Sequence, residues 1–264
     1  MILKYSSYVL VGIVAGAINS VAGGGTILAF PLLIFFGMAA ISANATTTVP
    51  LVIGQFSSAL GYKKYIKKIP LGYFLLLIPV IIGTFLGAYL LTRTNDNIFM
   101  FISPFLILFA IIVFSYQPYI VARIYGSVYS KNIKYYPPIW LYLVIFILSI
   151  YGGYYGGGFG LTLLALLSIT ALKNIHTMNG LKNILATIEA LVSVVVLFNS
   201  GLIDWKIGLV LGFGALLGGY FGSKFAQNLS LKYLRFVIII IGLFTAIYFM
   251  GITNHMIFGN IFKI

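Results

Sequence analysis

Long apolar runs alternate with short polar stretches along the whole chain. A helix that crosses a bilayer needs about 20 apolar residues, and several runs approach that length. They are Tyr8–Ala22, Leu71–Leu91, Ile98–Tyr116, Ile139–Tyr155, Leu181–Phe198, Ile207–Phe225 and Tyr233–Met250. This pattern predicts an all-α polytopic membrane protein.

Two further apolar runs, Ile27–Met38 and Leu161–Leu172, are only about half as long as a membrane span. Each follows a glycine cluster, Gly23–Gly25 in the first case and Gly156–Gly158 in the second. Glycines at such places are typical of helices that are interrupted inside the membrane. We therefore expect two half-length helices, each beginning at a Gly-rich break.

The pattern of runs and breaks occurs twice. Gly24 corresponds to Gly158, 134 positions later, and GTFLG at Gly83–Gly87 corresponds to GGYFG at Gly218–Gly222. Each repeat holds about five apolar segments. Because five is an odd number, the second repeat is inverted relative to the first if every segment crosses.

This repeat divides the chain into a first transmembrane repeat at 1–118, a basic cytoplasmic linker at 119–138 and a second transmembrane repeat at 139–264. Cytoplasmic loops carry an excess of Lys and Arg. With the cluster Lys63–Lys68 inside, ten crossings place more basic residues inside than eight crossings, in which the half-spans re-enter. The charges favour ten crossings with both termini outside.

The composition agrees with a membrane protein. Hydrophobic residues form 61% of the 264 residues, charged residues form 7%, and the mean hydropathy is +1.11, whereas soluble domains are about 45–50% apolar. The net charge of +13 comes from clusters between apolar runs, so we expect a lipid bilayer, that of the cell membrane, and no nucleic acid as partner. Met1–Gly25 also resembles a secretory signal, but its glycine motif recurs in the middle of the chain.

The breaks suggest a site for an anion. Non-helical backbone within a membrane is tolerated where it is buried in protein or lines a cavity. Helices that begin near Thr26 and Leu161 would direct unpaired N–H groups and the positive ends of their dipoles at that cavity. The alternative is that the glycines only allow close packing, which is our interpretation of Gly83–Gly87 and Gly218–Gly222.

Lys182 and Glu189 are ionisable residues within a predicted span, where such residues are costly and usually functional. They lie two helical turns apart on one helix face. Lys182 would supply positive charge for an anion, and Glu189 would balance that charge or carry a proton. Two structural alternatives are open: Lys182 extends to the membrane surface, or Glu189 is a protonated hydrogen-bond partner.

Enzymatic functions have little support in the sequence. Only three residues are acidic, and HExxH, GxSxG and P-loop motifs are absent. The absence of cysteine excludes thiolate chemistry, and the two histidines are not spaced as metal ligands. We therefore predict no enzyme, no cofactor and no metal, and transport that is not driven by ATP through this chain.

The motifs together resemble those of the sulfite exporter (TauE/SafE) family of membrane transporters. The resemblance rests on AGAINSVAGGGTILAFPLL and ANATTT in the first half. In the second half it rests on GGYYGGGFGLTLLALL and GLKNILATIEALVSVVVLFNSGLIDW, and it covers nearly the whole chain.

This resemblance implies export or import of a small sulfur-containing anion such as sulfite, thiosulfate, a sulfonate or sulfoacetate, and of the two directions we predict export. The residues that fall on the family motifs are the expected substrate-binding residues. They are Asn19, Gly23, Gly24, Gly25, Thr46, Gly156, Gly158, Lys182 and Asn183.

Three alternatives to this function are open: an anion channel, a carrier of a non-sulfur organic anion, and a scaffold subunit. The chain also departs from many relatives, which carry a basic residue or Ser where it has Thr47 and Thr48. This departure leaves the substrate open. The small-residue spacing in the apolar spans would permit a homodimer.

Overall fold

The structure of the protein, a computed structural model, describes residues 2–21, 23–127, 136–170, 172, 174–225, 236, 239–240 and 242–251. Within these ranges every regular element is a helix. The α-helices are α1 (Ile2–Val21), α2 (Gly25–Phe35), α3 (Ala40–Gly61), α4 (Lys63–Ile66), α5 (Leu77–Thr92), α6 (Asp96–Ser127), α7 (Ile139–Tyr155), α8 (Phe159–Ser168), α9 (Ile175–Leu197), α10 (Trp205–Phe225) and α11 (Gly242–Gly251). A 3₁₀-helix, Leu71–Leu76, leads directly into α5.

The prediction of a helical membrane protein is confirmed. Among the described residues, four segments are long and apolar enough to cross a bilayer: Leu71–Thr92, Asp96–Val113, Ile175–Leu197 and Trp205–Phe225. The helix α7 has the bounds predicted for its span, whereas α6 continues to Ser127, into the stretch assigned to the linker. The beginning of the last predicted span lies outside the described residues.

The two half-length helices are also present, and both begin at the glycine clusters. The helix α2 has 11 residues and α8 has 10, so each rises only about 15–17 Å at 1.5 Å per residue. That is about half of a hydrocarbon core of about 30 Å. Neither helix crosses a membrane by itself.

The two halves of the chain are interleaved. The first helix of each half packs along the fourth apolar segment of the other half, so α1 contacts α10 and α7 contacts α5. The glycines Gly83 and Gly87 face the backbone of α7, and Gly218 and Gly222 face α1. This confirms the packing interpretation of these glycines. Because these glycines contact other helices of the same chain, they offer no surface for a second copy. A homodimer stays a prediction.

The helix ends form two groups, which we name by their residues. The aspartate end contains Asp96 and Asp204, and the lysine end contains Lys63–Lys68. At the aspartate end, the backbone N–H of Ile41 donates to Oδ1 of Asp96 at 2.8 Å, which joins the start of α3 to the start of α6. At the lysine end, the His176 ring at the start of α9 lies 4.8 Å from the Tyr65 ring.

The first three helices alternate in direction. The ring of Tyr8, near the start of α1, lies 5.2 Å from that of Phe36, just after α2, so both lie toward the aspartate end where α3 begins. Thus α2 runs antiparallel to α1, back toward the aspartate end, and α3 runs from the aspartate end toward the lysine end. This is the order of directions expected for ten crossings. Inversion of the repeats and the cytoplasmic position of the lysine end stay predictions.

Candidate functional site

The two Gly-rich breaks meet in the interior of the protein. Gly23 has a left-handed φ of +88°, a conformation that favours glycine. Its Cα lies 2.7 Å from the place that a Cβ on Gly160 would occupy. The backbone at one break therefore rests directly on the first turn of α8, with no room for a side chain on either glycine.

The start of α2 receives its cap from α1. Gly24 is the N-cap residue and has no side chain to offer. Instead Oδ1 of the buried Asn19 accepts a hydrogen bond from the N–H of Gly25 at 3.2 Å. Asn19 thereby joins the last turn of α1 to the positive end of the half-helix that follows the break.

A small cavity lies beside this capped helix end. Its volume is about 20 Å³, enough for about one water molecule. The lining combines small, apolar and hydroxyl side chains, namely Ala15, Gly16, Asn19, Gly25, Thr26, Ala29, Thr47, Pro50, Leu51 and Ala215. The cavity at the first break is therefore too small for an oxyanion unless the helices move apart.

The cavity is lined by Thr47, whereas the sequence selected Thr46. The hydroxyl of Thr46 accepts a hydrogen bond from the backbone N–H of Asp204 at 3.0 Å, away from the lining. Thr47, Pro50 and Leu51 are three and four positions apart and therefore share one face of α3. Helical spacing from Pro50 therefore indicates Thr47, and not Thr46, as the threonine on the cavity face of α3.

Lys182 lies at the end of α1. Its side chain is fully buried, and its Nζ donates to the carbonyl oxygens of Asn19 at 2.9 Å and Ser20 at 3.2 Å. The alternative that Lys182 extends to the membrane surface is therefore wrong. The ammonium instead satisfies carbonyls that the last turn of a helix leaves without partners.

The neighbouring Asn183 is fully buried. Neither its Nδ2 nor its Oδ1 has a hydrogen-bond partner among the described residues. An amide left in this state has lost its hydration without replacement, which is costly. It is a ready donor for a ligand, although it does not line the cavity described above.

Glu189 is buried against α7, two turns beyond Lys182. Its Oε1 lies 3.1 Å from the place that a Cβ on Gly152 would occupy. Within the described part of the chain, no hydrogen bond or ion pair to its carboxyl group is found. Lys182 and Glu189 therefore contact the first helices of different halves and do not form a pair.

The second break is held by side chains that donate to its main-chain carbonyls. Gly156 and Gly158 have φ values of +71° and +88°, and Gly158 is the N-cap residue of α8. The hydroxyl of Tyr151 donates to the carbonyl of Gly157. Nδ2 of Asn44 donates to the carbonyl of Tyr154 at 3.1 Å. The sequence did not select Tyr151 or Asn44 as site residues, because their partners depend on packing between helices.

Helices interrupted at matching positions, with their broken ends meeting in the protein interior beside a small cavity, are the architecture of a membrane transporter. Comparison with known proteins agrees with this class. The chain belongs to the sulfite exporter TauE/SafE family, whose sequence model it matches over residues 8–249.

Two relatives illustrate this membership. The chain is 27% identical over 231 residues to a "Probable membrane transporter protein" of Haemophilus influenzae, covering 87% of this chain and 88% of the relative. It is 25% identical over 252 residues to a "Probable membrane transporter protein ORF9" of Sinorhizobium sp., covering 92% and 90%. No solved structure gives a significant match.

Proposed function

We propose that this membrane transporter moves a small sulfur-containing anion of the sulfite, thiosulfate, sulfonate or sulfoacetate class out of the cell by secondary transport. The observation that carries the proposal is the first break, where the start of α2 borders a buried cavity. A helix start favours negative charge. The buried ammonium of Lys182 lies at the end of α1, on the backbone oxygen of the residue that caps α2.

Transport by this site requires alternating access. The cavity of about 20 Å³ holds about one water molecule, so the described conformation leaves no room there for an oxyanion. Because the halves are interleaved through α1 with α10 and α5 with α7, movement of these two helix pairs against each other would open the site toward one end at a time. In the cell membrane, we place the lysine end in the cytoplasm.

The first experiment is thermal unfolding of the detergent-purified chain with choline salts of sulfite, thiosulfate, sulfate, sulfoacetate and acetate. A ligand that binds only the folded state raises Tm with its concentration. We expect a sulfur anion to raise Tm in the natural chain, and the shift at a given concentration to be smaller in Asn19→Ala while it is unchanged in Lys68→Ala. If none of the sulfur anions raises Tm of the folded protein, the proposed substrate class is wrong.

The coupling of transport to protons through Glu189 is part of this proposal. A buried carboxyl with no partner among the described residues is free to take up and release a proton during a transport cycle. In liposomes, Glu189→Gln should abolish the dependence of anion flux on an imposed pH gradient. The control is Asp204→Asn, at the aspartate end. Unchanged pH dependence in Glu189→Gln would exclude this role.

A channel would use the same positive site without alternating access. Counterflow separates the two mechanisms, because a carrier exchanges labelled for unlabelled substrate and a channel does not concentrate label. We expect liposomes loaded with unlabelled sulfite to accumulate external ³⁵S-sulfite transiently above equilibrium. Simple equilibration without an overshoot would identify a channel.

A further inference from the structure

The end of α1 presents carbonyl oxygens to a cation. The helix stops at Val21, and the break that follows prevents its last carbonyls from finding partners in a further turn. The C-terminal end of a helix carries partial negative charge. In secondary transporters, the C-terminal ends of broken helices and unwound carbonyls bind the coupling Na⁺.

In this chain the side chain of Lys182 occupies the corresponding position at the C-terminal end of α1. The Nζ of Lys182 lies 2.9 Å from the oxygen of Asn19 and 3.2 Å from that of Ser20, and the side chain is 0% exposed. Among the described residues, no carboxylate pairs with it, and Glu189 is about 10 Å further along the helix axis. The carbonyls of α1 are thus the groups seen to balance this buried charge.

The second half of the chain shows that the ammonium is an addition to the fold. Tyr154 lies 135 positions after Asn19, and its carbonyl at the end of α7 receives the neutral amide of Asn44. Thr47 lies 135 positions before Lys182, and its hydroxyl donates within its own helix to the carbonyl of Asn44. Each half closes the end of the other half's first helix, but among the described residues a lysine side chain is found at only one of these two ends.

We propose that Lys182 is a resident cation at the C-terminal end of α1, in the place where a coupling Na⁺ would bind, so that this chain works without sodium. The consequence for transport rests on the proposed function, whereas the occupancy of the carbonyl site does not. An ammonium donates three hydrogen bonds, and the two carbonyls of α1 use two of them.

The test compares thermal unfolding of the full chain in detergent, in choline chloride and in NaCl at equal ionic strength. We expect Tm of the natural chain to be the same in both salts within about 1 °C. In Lys182→Ala the carbonyls lose their cation, so Tm should fall in choline and recover by about 3 °C or more in NaCl. The surface variant Lys68→Ala should behave as the natural chain.

Two results would overturn the inference: a specific rise of Tm by Na⁺ in the natural chain, or a Tm of folded Lys182→Ala that Na⁺ does not change.

If that variant does not fold, the test is the rate of sulfite transport by the natural chain with and without Na⁺. Export of ³⁵S-sulfite from liposomes by the natural chain should be equal within about twofold with Na⁺ or choline, and a requirement for Na⁺ would overturn the inference. If sulfite is transported in neither salt, the proposed substrate fails, while the Tm comparison still tests the resident cation.

Discussion

At the first break, a buried ammonium donates to the carbonyls that end α1, while at the second break an amide, Asn44, donates to the carbonyl of Tyr154 at the end of α7. Both donors come from the third apolar segment of the opposite half, Lys182 from α9 and Asn44 from α3. The need to satisfy a broken helix end is therefore met in both halves, because unpaired carbonyls within a membrane are costly. Among the described residues, a lysine amino group and a side-chain cap are found at the first break and not at the second.

The largest expected effect comes from the glycine on which the breaks meet. Gly23 and Gly37 have nearly equal φ values, +88° and +89°, but only Gly23 lies against other backbone. Gly37→Ala should therefore lower the free energy of unfolding by the backbone strain alone, about 1–2 kcal/mol. Gly23→Ala adds a collision with Gly160 and should cost more than about 4 kcal/mol or prevent folding.

The measurement is the yield and Tm of monodisperse protein for both variants. Gly160→Ala should behave as Gly23→Ala, because its added Cβ meets the same contact from the other side. Equal effects of Gly23→Ala and Gly37→Ala would show that the two breaks do not need to touch.

The next effect concerns the two donors at the helix ends. Hydrogen bonds to charged groups contribute about 1.5–3 kcal/mol, and those between neutral groups about 1 kcal/mol. Lys182→Ala, measured in choline, should therefore cost about 2 kcal/mol, and Asn44→Ala about 1 kcal/mol. Denaturant unfolding of both variants in micelles checks the difference. A larger loss in Asn44→Ala would reverse the comparison between the breaks.

The smallest expected effect is the loss of the cap on α2. Removing an N-cap side chain costs about 1 kcal/mol. Asn174 provides a matched control, since its Oδ1 caps α9 by accepting from the N–H groups of His176 and Thr177. Asn19→Ala and Asn174→Ala should therefore lose similar stability.

Anion binding should distinguish these two cap variants. The cap by Asn19 borders the cavity, so Asn19→Ala should weaken anion affinity by about tenfold, equivalent to about 1.4 kcal/mol. Asn174→Ala should leave the affinity within about twofold of the natural chain. Equal affinities in a titration of Tm against anion concentration would show that Asn19 acts only as a cap.

The sequence predicts the elements better than the contacts between them. Apolar length identifies the long helices, and the glycine clusters identify where α2 and α8 begin, because these features are local. The bond from Lys182 to Asn19 joins residues 163 positions apart and depends on how the two halves interleave. The choice between Thr46 and Thr47 depends on helix rotation, since neighbouring residues point about 100° apart. Periodicity in a buried helix leaves that angle open because most faces are apolar.

The interleaving has a consequence for how the chain is made. The partner of α1 along its glycine face is α10, which begins at Trp205, about 180 residues after α1 ends. At about 5–20 residues per second, a ribosome needs roughly 10–40 s to make that stretch. During this time the backbone face of α1 at Gly12 and Gly16, which packs against α10 in the folded protein, has no contact with α10. The first half alone is therefore not a finished domain, and assembly of this protein ends only after its second half has been inserted.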